Sequence, residues 1–179
     1  MKLHIAYQPA FSRKELLLRT FFGVFYLYIP HLFMMAIFGI WSNILGMIAF
    51  WVILFTGRYP KSWFEYQVKM QQWSLRFRAR TGNLADGYPA FNPSGTDDRT
   101  SLEIPYKESY SRGKLLLRTF FGFFMAFPHA FILIFRLWWG AILGMIAWWI
   151  ILFTGKYPEN WHRFNVENIR WGTRLGCFL

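Results

Sequence analysis

At 179 residues, with 55% hydrophobic and 22% aromatic content, the chain is too apolar and too rich in rings for an ordinary soluble domain. Its formal net charge is +11, but the distribution of that charge excludes nucleic acid as the partner. All nine carboxylates, and every Lys and Arg except Arg19, Arg118 and Arg136, lie outside two apolar blocks, Leu16–Phe55 and Leu115–Phe153. Basic residues flanking apolar blocks follow the positive-inside pattern. The partners implied are membrane lipids and other integral membrane subunits.

The chain opens on Leu3-x-Ile5-x-Tyr7, an alternation that reads as a short strand. The first dozen residues hold no apolar h-region, so the reading is an uncleaved membrane protein. The first block follows, about 40 residues or roughly two spans of 20. Arg13, Lys14 and Arg19 mark its start, and Arg58, Lys61 and Lys69 follow it. Cations on both flanks predict a helical hairpin over about 16–55 with both ends in the cytoplasm. The second arm has only about 16 apolar residues, or ~24 Å, so the hairpin either thins the bilayer or stops short of crossing it. Pro30-His31 lies in the first arm. Ser42-x-x-x-Gly46 in the second permits close helix packing.

Ile53-Leu-Phe-Thr-Gly-Arg-Tyr-Pro60 then stops the helix. Gly57 suits the left-handed closing position and Pro60 prevents continuation. Arg58 and Tyr59 suit the headgroup region. Trp63, Tyr66, Met70, Trp73 and Phe77 recur at spacings of three and four, which predicts an amphipathic helix over about 61–80. Lys69, Arg76, Arg78 and Arg80 stand off that stripe. The stripe either lies in the headgroup region or packs beneath the protein's own hairpins. Residues 82–101 form a linker rich in Gly, Asn, Asp and Pro, with Tyr88-Pro89-Ala90-Phe91 as its one apolar knot.

The pattern then repeats. Leu102-x-Ile104-x-Tyr106 echoes the first strand, and Leu115–Gly122 repeats Leu16–Gly23. Pro128-His129 repeats Pro30-His31, and Ile151–Pro158 repeats the helix stop with Lys156 and Tyr157. The offset is 99 residues before the Pro-His pair and 98 after it, so one residue is lost between them. A second hairpin is expected over about 115–153, with Gly140 and Gly144 as its packing pair, and an amphipathic helix over about 159–176 carrying Trp161 and Trp171. Asn168 interrupts that helix's stripe. Arg136 sits near the expected hairpin tip and either snorkels to headgroups or needs a buried partner that neither block's side chains supply. The single Cys177 forms no internal disulfide.

The expected fold is therefore an all-α integral membrane protein of two parallel tandem repeats. Each repeat is a strand, a short transmembrane hairpin and an interfacial amphipathic helix, over 1–81 and 102–179, joined by 82–101. Trp63, Trp73, Trp161 and Trp171, with Arg58, Tyr59, Lys156 and Tyr157, are the expected headgroup or interface residues. His31 and His129 are paired candidates for a haem or metal, though each imidazole also suits a carbonyl freed by the neighbouring proline. No other cofactor is implied.

The paired Pro-His and Ile-Leu-Phe-Thr-Gly-[Arg/Lys]-Tyr-Pro strings resemble a widespread family of small bacterial membrane proteins, catalogued as a domain of unknown function. Trp73-Ser-x-Arg76, Trp171-Gly-Thr-Arg174 and Tyr88-Pro89 fit the same pattern, and repeat two departs from it in lacking a Tyr-Pro-x-Phe tail. The resemblance implies a bacterial inner-membrane location and no particular activity. No phosphate-binding, zinc-protease, Cys-x-x-Cys or Gly-x-Ser-x-Gly motif is present, which argues against an enzyme. The reading is a non-catalytic accessory or scaffold subunit of a larger membrane complex. The alternatives are a lipid-facing protein that shapes the bilayer or moves lipid, and a cofactor-bearing electron-transfer subunit.

Overall fold

The computed structural model describes residues 1–178. In chain order it contains β1 (Lys2–Ile5), α1 (Arg13–Gly23), a π-helical turn (Val24–Tyr28), α2 (Ile29–Thr56), α3 (Lys61–Thr81), β2 (Thr100–Glu103), α4 (Arg112–Thr154) and α5 (Glu159–Phe178). The protein is mostly helical, and two of its helices are long and strongly apolar. Both start at a serine cap. Ser12 Oγ accepts from the Glu15 amide at 3.3 Å, and Ser111 Oγ from the Lys114 amide at 3.4 Å.

The expected hairpins over 16–55 and 115–153 do not form. α1, the π turn and α2 run as one helix, Arg13–Thr56, of 44 residues, and α4 has 43. The reason lies at the expected tips. Gly39-Ile-Trp-Ser-Asn43 and its counterpart stay helical, and among the described residues positive φ occurs only at Asn83, Gly57, Gly87 and Gly155. Cations on both flanks of a block mark where its ends lie; they do not require a turn between them. The chain reverses instead at Gly57 (φ 72°) and Gly155 (φ 73°), whose amides each donate to a carbonyl four residues back at 2.8 Å. The helical hairpins are thus α2 with α3, and α4 with α5.

The π turn accounts for the changed offset between the two halves. Six residues separate Gly23 from Pro30, and five separate Gly122 from Pro128. An α-helix absorbs one extra residue as a single π turn. The first half has that turn at Val24–Tyr28, and the second half runs through Pro128 without one.

β1 and β2 pair antiparallel with Leu3 opposite Leu102, and β2 lies earlier than the alternation predicts, leaving Ile104 and Tyr106 outside it as β1 leaves Tyr7. Beyond the strands the chain crosses over reciprocally. Tyr7 Oη donates to the Tyr157 carbonyl at 2.7 Å, and Tyr106 Oη to the Tyr59 carbonyl at 2.6 Å. The Phe11 amide reaches the Gly155 carbonyl, and the Tyr110 amide the Gly57 carbonyl, both at 2.8 Å. Arg13 donates to the Phe153 carbonyl and Arg112 to the Phe55 carbonyl, again at 2.8 Å. Each half's entry arm therefore satisfies the carbonyl end of the other half's long helix. The shared core forms here, from Leu3, Leu16, Ala79, Leu102, Ile151 and Val166 among others.

Each long helix buries one stripe. On the first it passes through Leu16, Gly23, Leu27, His31, Leu45, Ala49 and Ile53, toward α3 and the core. The opposite face leaves Phe33, Ile40, Trp41, Met47, Trp51 and Phe55 exposed. The stripe on α3 turns inward rather than toward headgroups. Tyr66 Oη donates to the Phe38 carbonyl at 3.0 Å, and Trp73 and Phe77 are buried. Aromatics at helical spacing mark a face that will be covered, and here α2 and the linker cover it.

Candidate functional site

The two Pro-His positions produce two very different surroundings. Pro30 has no amide to donate, which leaves the Tyr26 carbonyl free, and Tyr88 Oη donates to it at 3.2 Å. His31 is fully buried. Its Nδ1 lies 3.0 Å from the Leu27 carbonyl and its Nε2 3.3 Å from the Pro89 carbonyl. The rings of Trp73, Phe77, Tyr88 and Phe91 surround the imidazole, with centroids 4.8–6.3 Å away.

The linker builds this enclosure, and three arginines on two elements, α1 and α3, hold the linker. Arg76 donates to the carbonyls of Asn92 (2.7 Å), Pro93 (3.4 Å) and Gly95 (2.6 Å). Arg80 makes two 2.7 Å bonds to the Asp97 carboxylate, with both side chains less than a tenth exposed. Burial alone would raise the Asp97 carboxyl, but hydrogen bonds from Arg80 and Thr100 outweigh it and hold the group below its ordinary value. Arg19 reaches the Ala85 carbonyl and Asp86, both at 2.9 Å. The linker also braces the second half, where His162 Nε2 lies 2.9 Å from the Leu84 carbonyl. Burial pushes the His162 imidazole down, against the upward pull of that carbonyl.

Sequence periodicity misses this clamp. Arg76 and Arg80 stand off the apolar stripe and read as solvated cations, yet each is only 3% exposed, while Lys69 and Arg78 are exposed as expected. The available signal is the i, i+4 arginine pair followed by a loop carrying Asp86, Asp97 and Asp98.

The second half keeps the receiving residues and lacks the cover. At an offset of 98, His129, Trp171 and Arg174 correspond to His31, Trp73 and Arg76. His129 is exposed, and its Nδ1 lies 3.3 Å from the Met125 carbonyl. Arg174 is exposed as well. Between α4 and α5 lies a cavity of about 640 Å³ lined by His129, Arg136, Trp171, Arg174, Leu175 and Phe178, among others. Arg118, the counterpart of Arg19, lies 5.8 Å from the Phe178 ring, and its Nε has no partner.

His31 and His129 are not brought together: their surroundings share no residue. Both ring nitrogens of His31 face carbonyl oxygens, so neither is aimed at a metal. Among the described residues no cluster of three His, Cys, Asp or Glu side chains has metal-binding geometry.

Of the expected interface residues, Trp73 and Tyr157 are fully buried and so unavailable to headgroups. Burial carries Tyr157 above the ordinary tyrosine value despite the hydrogen bond from Asn165. Arg58 and Lys156 are exposed; Tyr59, Trp63, Trp161 and Trp171 are half-buried. Of the four small residues, Ser42 and Gly140 meet a neighbouring helix of their own half closely. Ser42 Oγ donates to Gln67 Oε1 at 2.5 Å, and Gln67 returns a 2.7 Å bond to the Ser42 carbonyl. A Cβ on Gly140 would meet Asn165 at 2.4 Å and Asn168 at 2.8 Å, one on Gly46 would only graze Gln67 at 4.0 Å, and Gly144 has no neighbour within 4 Å.

Arg136 and Asn168, the two polar intrusions of the second half, answer each other. Arg136 Nε donates to Asn168 Oδ1 at 3.0 Å, and Asn168 Nδ2 to the Arg136 carbonyl at 3.0 Å. The guanidinium also lies 4.7 Å from the Phe164 ring and 5.4 Å from that of Trp171. A neutral amide and two rings take the place of the carboxylate the blocks lack.

Comparison with known proteins finds no match among family profiles, curated proteins or solved structures.

Proposed function

We propose that this is a non-catalytic integral membrane protein built from a tandem duplication, which acts by packing as an accessory or scaffold subunit of a larger membrane assembly. The resemblance noted in the sequence supports a bacterial inner-membrane setting, and the basic residues flanking both apolar blocks support termini and linker on the cytoplasmic side. The observation that carries the proposal is the uncovered apolar face of the two long helices. Only 17% and 22% of their most apolar windows are buried inside the molecule. A contiguous apolar surface of that extent needs lipid or a partner over it.

The topology we propose is a wedge. Both entry arms leave one small sheet, and between them they reach both ends of both long helices. All four helix ends then lie on the sheet's side. A helix of 44 residues is about 65 Å long, twice the ~30 Å hydrocarbon core, and with both ends on one side it lies within the membrane rather than across it. Native purification in lipid nanodiscs with intact mass spectrometry tests the subunit reading. A stoichiometric second protein supports it; a particle containing only this chain and lipid counts against it.

The same wedge favours one second reading, a lipid-facing protein that bends or organises the bilayer. Insertion into one leaflet expands that leaflet alone. Liposomes carrying the protein would then tubulate or shrink, and unchanged liposomes would remove this reading. The electron-transfer alternative gains no support from His31, whose ring nitrogens both face backbone carbonyls inside a cage of aromatic rings.

A further inference from the structure

The molecule contains one occupied and one open version of the same receptor. In the first half the occupant is a stretch of the linker that lays Tyr88-Pro89-Ala90-Phe91 on the receptor and then turns at Asn92–Gly95. Tyr88 and Phe91 pack their rings against His31, Phe91 also lies against Trp73, and Pro89 turns its carbonyl toward His31 Nε2. Arg76 then grips the backbone carbonyls of Asn92, Pro93 and Gly95. Most of this recognition is sequence-tolerant, because it reads carbonyls. Its selective part is the pair of rings around a proline.

In the second half none of the described residues takes that place. His129, Trp171 and Arg174 keep the residue types of His31, Trp73 and Arg76, and they line the cavity of about 640 Å³. Leu175 stands for Phe77, so an apolar wall is retained. Two differences mark the second receptor as adapted to stand open. Phe178 replaces Arg80, the residue that anchors Asp97, so no acidic tether is called for. Arg136 replaces Phe38 and is held over Phe164 and Trp171 by Asn168, which places a cation at the rim without unfolding it.

We propose that the cavity beside His129 receives an aromatic-Pro-x-aromatic segment of a partner polypeptide followed by a turn, seated as Tyr88-Pro89-Ala90-Phe91 and the turn after it are seated beside His31. In this arrangement the aromatic side chains flank the imidazole of His129, and the Arg174 guanidinium donates to the partner's carbonyls. The partner's segment carries no requirement for an aspartate at the position of Asp97. The inference deepens the accessory-subunit reading and rests on it for the existence of a partner.

The test uses the full chain in nanodiscs and a labelled synthetic peptide with the sequence of residues 87–96, read by fluorescence anisotropy. The expected result is saturable binding of one peptide per chain, weakened about tenfold or more by Arg174→Ala and by Trp171→Ala. A peptide with both aromatics changed to alanine should bind at least about tenfold less tightly. Both protein variants alter exposed or half-buried positions, and unchanged helical content and melting temperature confirm that they fold. Absence of saturable binding up to about 1 mM overturns the proposal. So does binding that both substitutions leave untouched, or a tightly retained lipid that the peptide fails to displace. Peptide binding without a co-purifying protein keeps this receptor and removes the subunit reading. A co-purifying protein without peptide binding does the reverse.

Discussion

His31 and His129 follow the same proline, yet one is sealed inside the protein and the other stands at an open cavity. The helices beneath them differ by one π turn before the proline. What separates their surroundings is the linker, which supplies two aromatic rings, a row of carbonyls and Asp97 to the first half only. A repeated local string therefore sets where a side chain is placed, and a distant segment decides what surrounds it. Burial turns the first Pro-His into part of the core, while the second is left as surface.

The largest expected effect tests that division directly. Arg80→Ala strands the buried Asp97 carboxylate and should cost about 3–5 kcal/mol. Arg174→Ala, on the open side, should stay within about 0.5 kcal/mol. Chemical or thermal unfolding in a fixed detergent measures both, and equal losses would collapse the contrast between the halves.

Next, His31→Ala should cost about 2–4 kcal/mol, from the cavity it leaves and the carbonyls it abandons. His129→Ala should be nearly silent in the same assay. A comparable loss at His129 would mean that its cavity is not open surface.

The helix stops should break symmetrically instead. Gly57→Ala and Gly155→Ala each force an L side chain to φ above 70°, at about 1–2 kcal/mol apiece. Markedly different losses would show that the two reversals bear unequal loads.

The smallest effects concern pH. Asp97 has a folded value below its unfolded one, so its stabilisation is present above about pH 4 and lost as pH falls through the folded value. Asp97→Asn should flatten the acid limb of the stability profile. His162 is also depressed, with Glu159 and His4 as its charged neighbours. Its contribution is present above about pH 6.5 and lost as pH falls through its folded value. His162→Gln should remove that earlier, shallower loss. A profile unchanged by either substitution would show that the group in question is as accessible folded as unfolded.

The features legible in the sequence are those carried by a few adjacent residues. Thr-Gly-[Arg/Lys]-Tyr-Pro encodes a left-handed glycine and a proline block, and the structure reverses at both copies. Leu3-x-Ile5 marks a strand by alternation, whereas Leu102-x-Ile104 marks only part of its partner, which runs Thr100–Glu103 and leaves Ile104 outside. The continuity of the long helices is not legible from charge, because flanking cations report the ends of a block and say nothing of its middle. Gly39 and Asn43 look like turn residues, but neither is forced from helical geometry by anything around it. The clamp is hidden for a different reason. Periodicity assigns Arg76 and Arg80 to water, and only a loop 16 to 19 residues further on, whose course no local rule specifies, buries them. The pairing of Arg136 with Asn168 is visible as two anomalies and becomes one feature only when α5 folds back on α4.

The crossed arms carry a consequence for assembly. Tyr7 and Phe11 close the helix of the other half, and Tyr106 and Tyr110 return the favour. Neither half holds the helix end that its own arm closes. Residues 1–99 expressed alone would find such an end only in a second molecule, and two such fragments would clasp as a homodimer. Severing the peptide link near residue 99 would leave the halves joined, because the joint is made of reciprocal hooks rather than of covalent chain. What the link enforces is stoichiometry: one closed receptor for every open one.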